Sequence, residues 1–268
     1  MKEIKKISIK EVVGWLVLGV FVIFVVYSFL NKSNINSNFQ NNSLKSSISQ
    51  INFQPIYEIG EGYEVKGRMP FSNSNSNFND YLNYLIQARK DSFKKDLQMI
   101  DKSALPLEMQ NITSTLLIDY SLLTTSSRMV SLLLNSEEYI LGMAHPAHSL
   151  YSVNYDLLKS KDVSFDDLFN VPESDYLNVL ANYSKENIQK QIQNGTYSSS
   201  LDYINESGGL LPELVNFHVF NITPSGLLIT FSEYQVGPYA SGITNVNIPW
   251  DKLKTIVNLS YLHSLIGF

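Results

Sequence analysis

An uninterrupted apolar run near the N-terminus limits what this chain can be more strongly than any other part of the sequence. Residues 12–30 form a stretch of 19 residues without a charged side chain. As a helix this stretch would be about 28 Å long, close to the roughly 30 Å hydrocarbon core of a bilayer. Trp15 and Tyr27 lie near its two ends, where aromatic side chains favour the headgroup region. The run therefore predicts a transmembrane helix over residues 12–30.

The charges on either side of this run predict its orientation. Four lysines precede it, whereas only Lys32 follows it closely; the four are Lys2, Lys5, Lys6 and Lys10. Because positive residues stay on the cytoplasmic side, we expect residues 1–11 to form a cytoplasmic tail of a single-pass cell-membrane protein. A cleaved signal is the alternative, but the run exceeds the usual length of about 7–15 apolar residues and no A-x-A-like site follows. Both interpretations place the rest of the chain outside the cytoplasm.

The amino-acid composition limits which functions residues 31–268, the part expected outside the cytoplasm, can have. The chain has no cysteine, which excludes disulfides, thiolate zinc sites and cysteine nucleophiles. Residues 31–268 hold 16 basic and 23 acidic residues and so carry a net charge of −7. This balance argues against a nucleic-acid partner. It either serves solubility alone or attracts a basic partner. No phosphate loop, dinucleotide fingerprint or G-x-S-x-G elbow occurs, so we expect no cofactor and favour a protein that is not an enzyme.

The exported part divides into a linker and a folded domain. Residues 31–54 are rich in Asn and Ser and poor in apolar side chains, which predicts a flexible linker. Residues 55–150 and 151–268 are then the two halves of one exported domain, which could each form a small lobe. Strands and helices do not alternate regularly, so the predicted class is α+β with a mainly antiparallel sheet and packed helices.

Periodicity and capping signals place the main elements. Residues 72–77 (SNSNSN) read as a loop, and a helix capped by Asn79 or Asp80 follows. Pro224 and Gly226 form a predicted hairpin turn in which Gly226 takes a positive φ. The other expected elements are strands at 56–66, 115–125, 128–141 and 149–157, a short helix capped by Ser164, a helix at 173–193, hairpin strands at 216–222 and 227–234, and a helix opened by Pro249.

Two motifs invite a catalytic or metal-binding interpretation. His145 and His148 form H-P-A-H, but no acidic residue adjoins the first histidine, and on a strand the two rings would lie on opposite faces. A strand-end turn, in which a histidine bonds the backbone, fits this pattern better than a metal site. Asp166 and Asp167 resemble the paired aspartates of polysaccharide deacetylases, yet the glycine that follows them there is missing. They fit a helix start, where carboxylates interact with free N–H groups.

The most distinctive local sequence is YQVGPYASG at residues 234–242. Pro238 fixes its own φ, and Gly242 can take a positive φ, so we expect a stiff corner between two strands. Tyr234 and Tyr239 flank it. Two interpretations stay open: the tyrosines pack over the corner, or they form an aromatic surface that faces a ligand.

This corner belongs to a longer pattern. The pattern also includes Gly142, Ala144 and His145, the D-L-F at 167–169, Ala240, and Ile248 with Pro249. Through these motifs residues 55–258 resemble the RsiV-like exported domain, which occurs in the anti-sigma factor RsiV and N-terminal in the peptidoglycan deacetylase PdaC. Met143, Gln235 and Trp250 depart from the family pattern. The resemblance implies a domain of largely unknown function that in RsiV binds lysozyme.

We therefore expect a membrane-anchored extracytoplasmic binding module for a cell-wall polymer such as peptidoglycan or for a lysozyme-like protein. Its candidate binding residues are Tyr234, Pro238, Tyr239, Gly242, His145 and His148. Eleven residues are too few for a sigma-binding region, so a sigma factor is not an expected partner. Two alternatives remain: a wall-modifying enzyme that uses carboxylates such as Asp166, Asp167 or Glu233, and a structural partner of envelope proteins.

Overall fold

The computed structural model describes residues 51–267, so the predicted cytoplasmic tail, transmembrane helix and nearly all of the predicted linker lie outside the described residues. Among residues 51–267, no helix combines the length and the hydropathy of a membrane span. The strands are β1 (Ile51–Gly60), β2 (Tyr63–Ser72), β3 (Ser114–Thr125), β4 (Met129–Tyr139), β5 (Ala147–Asp156), β6 (Lys161–Asp162), β7 (Phe220–Thr223), β8 (Gly226–Phe231) and β9 (Thr244–Pro249). The helices are α1 (Ser76–Gln98), α2 (Phe165–Leu168), α3 (Glu173–Gln193), α4 (Leu201–Ser207), α5 (Leu214–Phe217), α6 (Trp250–Leu253) and α7 (Leu259–Ile266), with 3₁₀ turns at Lys102–Ala104 and Tyr239–Ser241.

The first sheet has six strands in chain order, β1 to β6. All neighbouring pairs are antiparallel except β2 and β3, which are parallel. A parallel pair needs a long crossover, and α1 lies in the connection between these two strands. The expected α+β fold with a mainly antiparallel sheet is therefore confirmed. β1 begins at Ile51, so the last residues that we assigned to the linker belong to this sheet.

α1 covers one face of the first sheet. Asn75 caps it by accepting a hydrogen bond from the N–H of Phe78, so the prediction that Asn79 or Asp80 caps this helix is wrong. Asn79 instead exchanges two hydrogen bonds of 2.8 Å with the backbone of Ser72, and the helix starts inside the run predicted as a loop. Its buried side chains pack against the strands; they are Phe78, Leu82, Ile86 and Phe93. Arg89, also on α1, forms an ion pair with Glu138 of β4 at 2.6 Å.

The second sheet contains three antiparallel strands, β7 to β9. Its core includes the aliphatic side chains Leu227, Ile229 and Ile248, and α3 packs against β9. The second sheet lies against the first through buried polar side chains. Asn154 on β5 donates to the carbonyl of Phe220 and accepts from the N–H of Ile222, both at 2.8 Å. The division that we placed after residue 150 falls inside β5, and the first sheet continues to Asp162.

The predictions for α2 and α3 agree with the structure, whereas those for the β7–β8 hairpin agree only in part. Ser164 caps α2 as predicted and forms a capping box with Asp167, and α3 has the predicted bounds. The hairpin is present but shorter than predicted, and Gly226 is not among the glycines with positive φ. A Cβ at Gly226 would lie 2.3 Å from the carbonyl oxygen of Ile248. Glycine is needed there because β9 approaches closely, not because of the turn conformation.

Candidate functional site

The corner predicted from the sequence lies between β8 and β9. β8 ends at Phe231, and the chain turns through residues 232–243 before β9 begins at Thr244. Pro238 has the expected φ of −63° and precedes the short 3₁₀ turn. Gly242 follows this turn with a φ of 69°. Both backbone predictions for the corner are confirmed.

Three rings form a continuous aromatic surface at the corner, which we call the aromatic stack: His145, Tyr239 and Tyr234. The rings of His145 and Tyr239 are stacked with their centroids 4.0 Å apart. The ring centroids of Tyr239 and Tyr234 are 5.6 Å apart. The hydroxyl of Tyr239 donates to the carbonyl of Pro146 at 3.1 Å, and Nδ1 of His145 lies 3.0 Å from the same oxygen. Tyr234 is 56% exposed and is the outermost ring. Burial, assisted by the charges of Glu233 and Glu137, raises the pKa of Tyr239, so its hydroxyl stays protonated.

His148 lies beside the aromatic stack between two carboxylates. Its Nδ1 is 2.9 Å from Glu233 Oε1, and its Nε2 is 3.2 Å from Glu137 Oε2. Glu137 and His148 are direct cross-strand neighbours on β4 and β5, which explains their proximity. Glu233 comes from the corner itself. The contact between His148 and Glu233 therefore ties the corner to the first sheet.

Hydrogen bonds from neighbouring segments hold the corner rigid. The side-chain amide of Gln235 donates to the carbonyls of Gly209 and Asn216, and its oxygen accepts from the N–H of Ser232. The hydroxyl of Tyr203 donates to the carbonyl of Tyr234 at 3.0 Å. A glutamate at position 235, as in the RsiV-like pattern, could not donate to both carbonyls. Gln235 differs from the family pattern, and its amide can make hydrogen bonds here that a glutamate could not.

The backbone at Tyr234 is unusual. Its φ is +65°, a left-handed conformation that is an outlier for a bulky residue. Only one other non-glycine residue among those that the structure describes, Ser160, has a positive φ. Such strain persists only where the surroundings over-determine it, and it clusters at ligand sites and active sites. The exposed ring of Tyr234 is therefore held at the surface by the fold around it.

The structure brings the predicted site residues together, although they come from distant parts of the chain. His145 contacts Tyr239 directly, and His148 contacts Glu233 next to Tyr234. Pro238 and Gly242 shape the turn and flank the rings. Sequence reasoning missed Glu137, because only the register of β4 against β5 places it opposite His148.

The carboxylates suggested for a wall-modifying enzyme do not meet in one cleft. Asp167 is used by the capping box of α2 and by an ion pair with Lys161 at 2.6 Å. Glu233 faces His148 at the corner, whereas Asp166 lines a separate cavity with Asp162. Within residues 51–267 no group of three His, Asp or Glu side chains is arranged to hold a metal ion.

The corner also lies within a region that matches a known protein family. Residues 166–251 match the model of a family described as a protein of unknown function, DUF3298. The matched region contributes Tyr234, Pro238, Tyr239 and Gly242 to the site, whereas His145 and His148 precede it. The search of curated proteins gives no match to the chain.

Solved structures of the DUF3298 family share this fold. A family member from Bacteroides fragilis is similar with a TM-score of 0.58 and 15% identity, over 82% of this chain and 98% of the other. A member from Pseudomonas aeruginosa has a TM-score of 0.54 and 12% identity, over 78% of this chain and 95% of the other. At these identities the likeness concerns the fold and not the ligand.

Proposed function

We propose that this protein is a membrane-anchored extracytoplasmic binding module that recognises a cell-wall polymer or a lysozyme-like protein through the aromatic stack. The observation that carries the proposal is the exposed ring of Tyr234, held on a left-handed backbone and backed by Tyr239 and His145. Rigid aromatic rings with one exposed face bind sugars and apolar side chains at a low cost in conformational entropy.

The net negative charge of residues 31–268 and the resemblance to the RsiV-like domain both support a lysozyme-like protein as the ligand. Residues 31–268 carry a net charge of −7, which attracts a basic protein such as a lysozyme. The side chain of Glu137 is 43% exposed beside the stack and can accept hydrogen bonds from a ligand. The resemblance to the RsiV-like domain points to the same class of partner, and the predicted span at residues 12–30 supports a position outside the membrane.

The proposal predicts that Tyr234→Ala weakens ligand binding. The full-length chain in mild detergent is titrated by calorimetry with hen lysozyme and, separately, with soluble peptidoglycan fragments. Loss of a central aromatic contact is expected to lower the affinity for one of them about tenfold or more. Tyr84→Ala, which removes a 70% exposed ring from α1, is the matched control and leaves the affinity unchanged. Absence of binding to both ligands, or equal losses in the two variants, would contradict the proposal.

A further inference from the structure

β5 has a free flank along much of its length. On one side it pairs with β4 from Ala147 to Asp156. On the other side β6 pairs only with Tyr155 and Asp156, and the six-stranded sheet, as far as the described chain shows it, ends there. An uncovered flank of this kind is a template for another strand.

The hydrogen bonds of Asn154 show which backbone groups point to this flank. Its carbonyl accepts from the N–H of Val163 at 2.6 Å, and its own N–H donates to Asp162 Oδ1 at 2.8 Å. Both groups of Asn154 therefore point away from β4. In an antiparallel strand this direction recurs at every second residue, and the register of β4 against β5 is unbroken. The N–H and C=O groups of Leu150 and Ser152 consequently face the open flank, which we call the β5 edge.

A cavity of about 320 Å³ lies at the end of the β5 edge. Ser152 and Asn154 of β5 line it, together with aromatic side chains that include Tyr151 and Tyr176. Three carboxylates also line it; they are Asp162, Asp166 and Glu173. No lysine or arginine is among its lining residues in the described chain, and His218 is its one basic side chain.

Within residues 51–267 no lysine or arginine forms an ion pair with the carboxylates of this cavity. Lys161, next to Asp162 in the chain, directs its ammonium group to Asp167 at 2.6 Å. The donors to Asp162 are neutral; they are the N–H groups of Asn154 and Val163 and the hydroxyl of Tyr81. Burial raises the pKa of Asp162 to about 6, as expected for a desolvated carboxyl group. A cation in the cavity would offset part of this desolvation cost through its attraction to the carboxylate.

We propose that the β5 edge binds an extended segment of a partner protein as an additional strand, with a lysine or arginine side chain of that segment in the cavity. Main-chain hydrogen bonds supply affinity in this mode of recognition, and pockets for alternate side chains supply specificity. The carboxylates select a positive charge, and the tyrosine rings can contact it through their faces. This surface is separate from the aromatic stack, and the proposal does not depend on a ligand there.

Hydrogen exchange of single backbone amides tests the strand addition. The probe is a synthetic eight-residue peptide of alternating threonine and lysine, added in excess to the full-length chain in mild detergent. Saturating peptide is expected to slow exchange of the Leu150 and Ser152 amides about tenfold or more, because each gains a partner. The amide of Tyr151, which faces β4, serves as the internal control and is unchanged. The proposal is overturned if the two amides are unaffected, or if they are already protected before peptide is added.

Calorimetric titration with the same peptide tests the cavity. The double variant Asp166→Asn with Glu173→Gln is expected to lower the affinity about tenfold, because two of the three carboxylates become neutral. Asp251→Asn changes an exposed carboxylate that does not line the cavity, and it leaves the affinity within about twofold. A peptide N-methylated at every residue is expected not to bind, since it cannot donate to the strand from either edge. Equal losses in the charge variants, or undiminished binding of the methylated peptide, would refute the proposal.

Discussion

At the scale of single residues, the corner depends on backbone conformations that few side chains tolerate. Gly242 has a φ of 69° and a ψ of −164°, a region occupied almost only by glycine. A Cβ built there meets nothing within 4 Å, so conformation and not space requires the glycine. At Gly237 it is space, and not backbone conformation, that requires glycine. A Cβ there would lie 2.3 Å from the hydroxyl of Tyr197.

Gly242→Ala is predicted to lower the free energy of unfolding by about 2 kcal/mol, because alanine is strained at this φ and ψ. Urea denaturation followed by circular dichroism measures the change. Gly195→Ala is the control, since Gly195 also has a positive φ and open space but lies in the turn after α3, away from the corner. A loss of ligand affinity in the first variant alone would show that the corner must be rigid to bind. A stability change near zero in Gly242→Ala would contradict the conformational argument.

At the scale of elements, α1 is attached to the first hairpin by charge as well as by apolar packing. Glu58 on β1 forms ion pairs with Lys90 and with Lys94, the latter at 2.5 Å, and accepts from the hydroxyl of Tyr63. The hydrogen bond from Lys90, followed by that from Lys94, lowers the pKa of Glu58 to about 2. The ionised carboxylate is thus more stable in the folded state than in the unfolded chain.

Glu58→Gln is predicted to be less stable than the unsubstituted protein at pH 7. A lowered carboxyl pKa contributes stability above the unfolded value of about 4.5, and this contribution is lost as the pH falls toward 2. Because the pair is partly exposed to solvent, we expect a difference of about 1 kcal/mol at pH 7 that disappears between pH 4.5 and 2. Urea unfolding across this pH range measures it, with Glu61→Gln in the hairpin turn as the control. A difference that does not depend on pH would rule out the charge mechanism.

At the scale of the whole molecule, buried amides join the two sheets. Asn154 is 2% exposed and bonds to Ser131 within the first sheet and to the backbone of β7 in the second. Asn221 of β7 donates in return to the carbonyl of Leu132. These bonds fix how the second sheet lies on the first, and therefore how Glu233 of the corner reaches His148.

Asn154→Ala is predicted to destabilise the fold by about 3 kcal/mol, because it leaves a buried carbonyl and a buried N–H of β7 without their partner. Asn178→Ala on α3 removes an exposed amide that bonds only within its helix, and it is expected to cost less than about 0.5 kcal/mol. Thermal and urea unfolding compare the two variants. Similar effects at both positions would argue against a special role for the inter-sheet bonds.

Local signals in the sequence determined much of the secondary structure. The capping pattern at Ser164, the apolar period of α3 and the proline and glycine of the corner each depend on residues within a few positions of one another. The start of α1 was missed because Asn75 lies in a run of alternating Ser and Asn, in which several residues can act as caps.

Only the tertiary structure decided the composition of the site and of the β5 edge. His145 and Tyr239 are 94 positions apart, and their stacking depends on how the second sheet lies on the first. Glu137 faces His148 because of strand register, which a one-residue slip would change. The β5 edge is open because β6 is only two residues long, and its cavity collects side chains from separate elements. Short-range periodicity carries no information on such long-range pairings, whereas the charge balance and the apolar run at residues 12–30 are properties of the sequence alone.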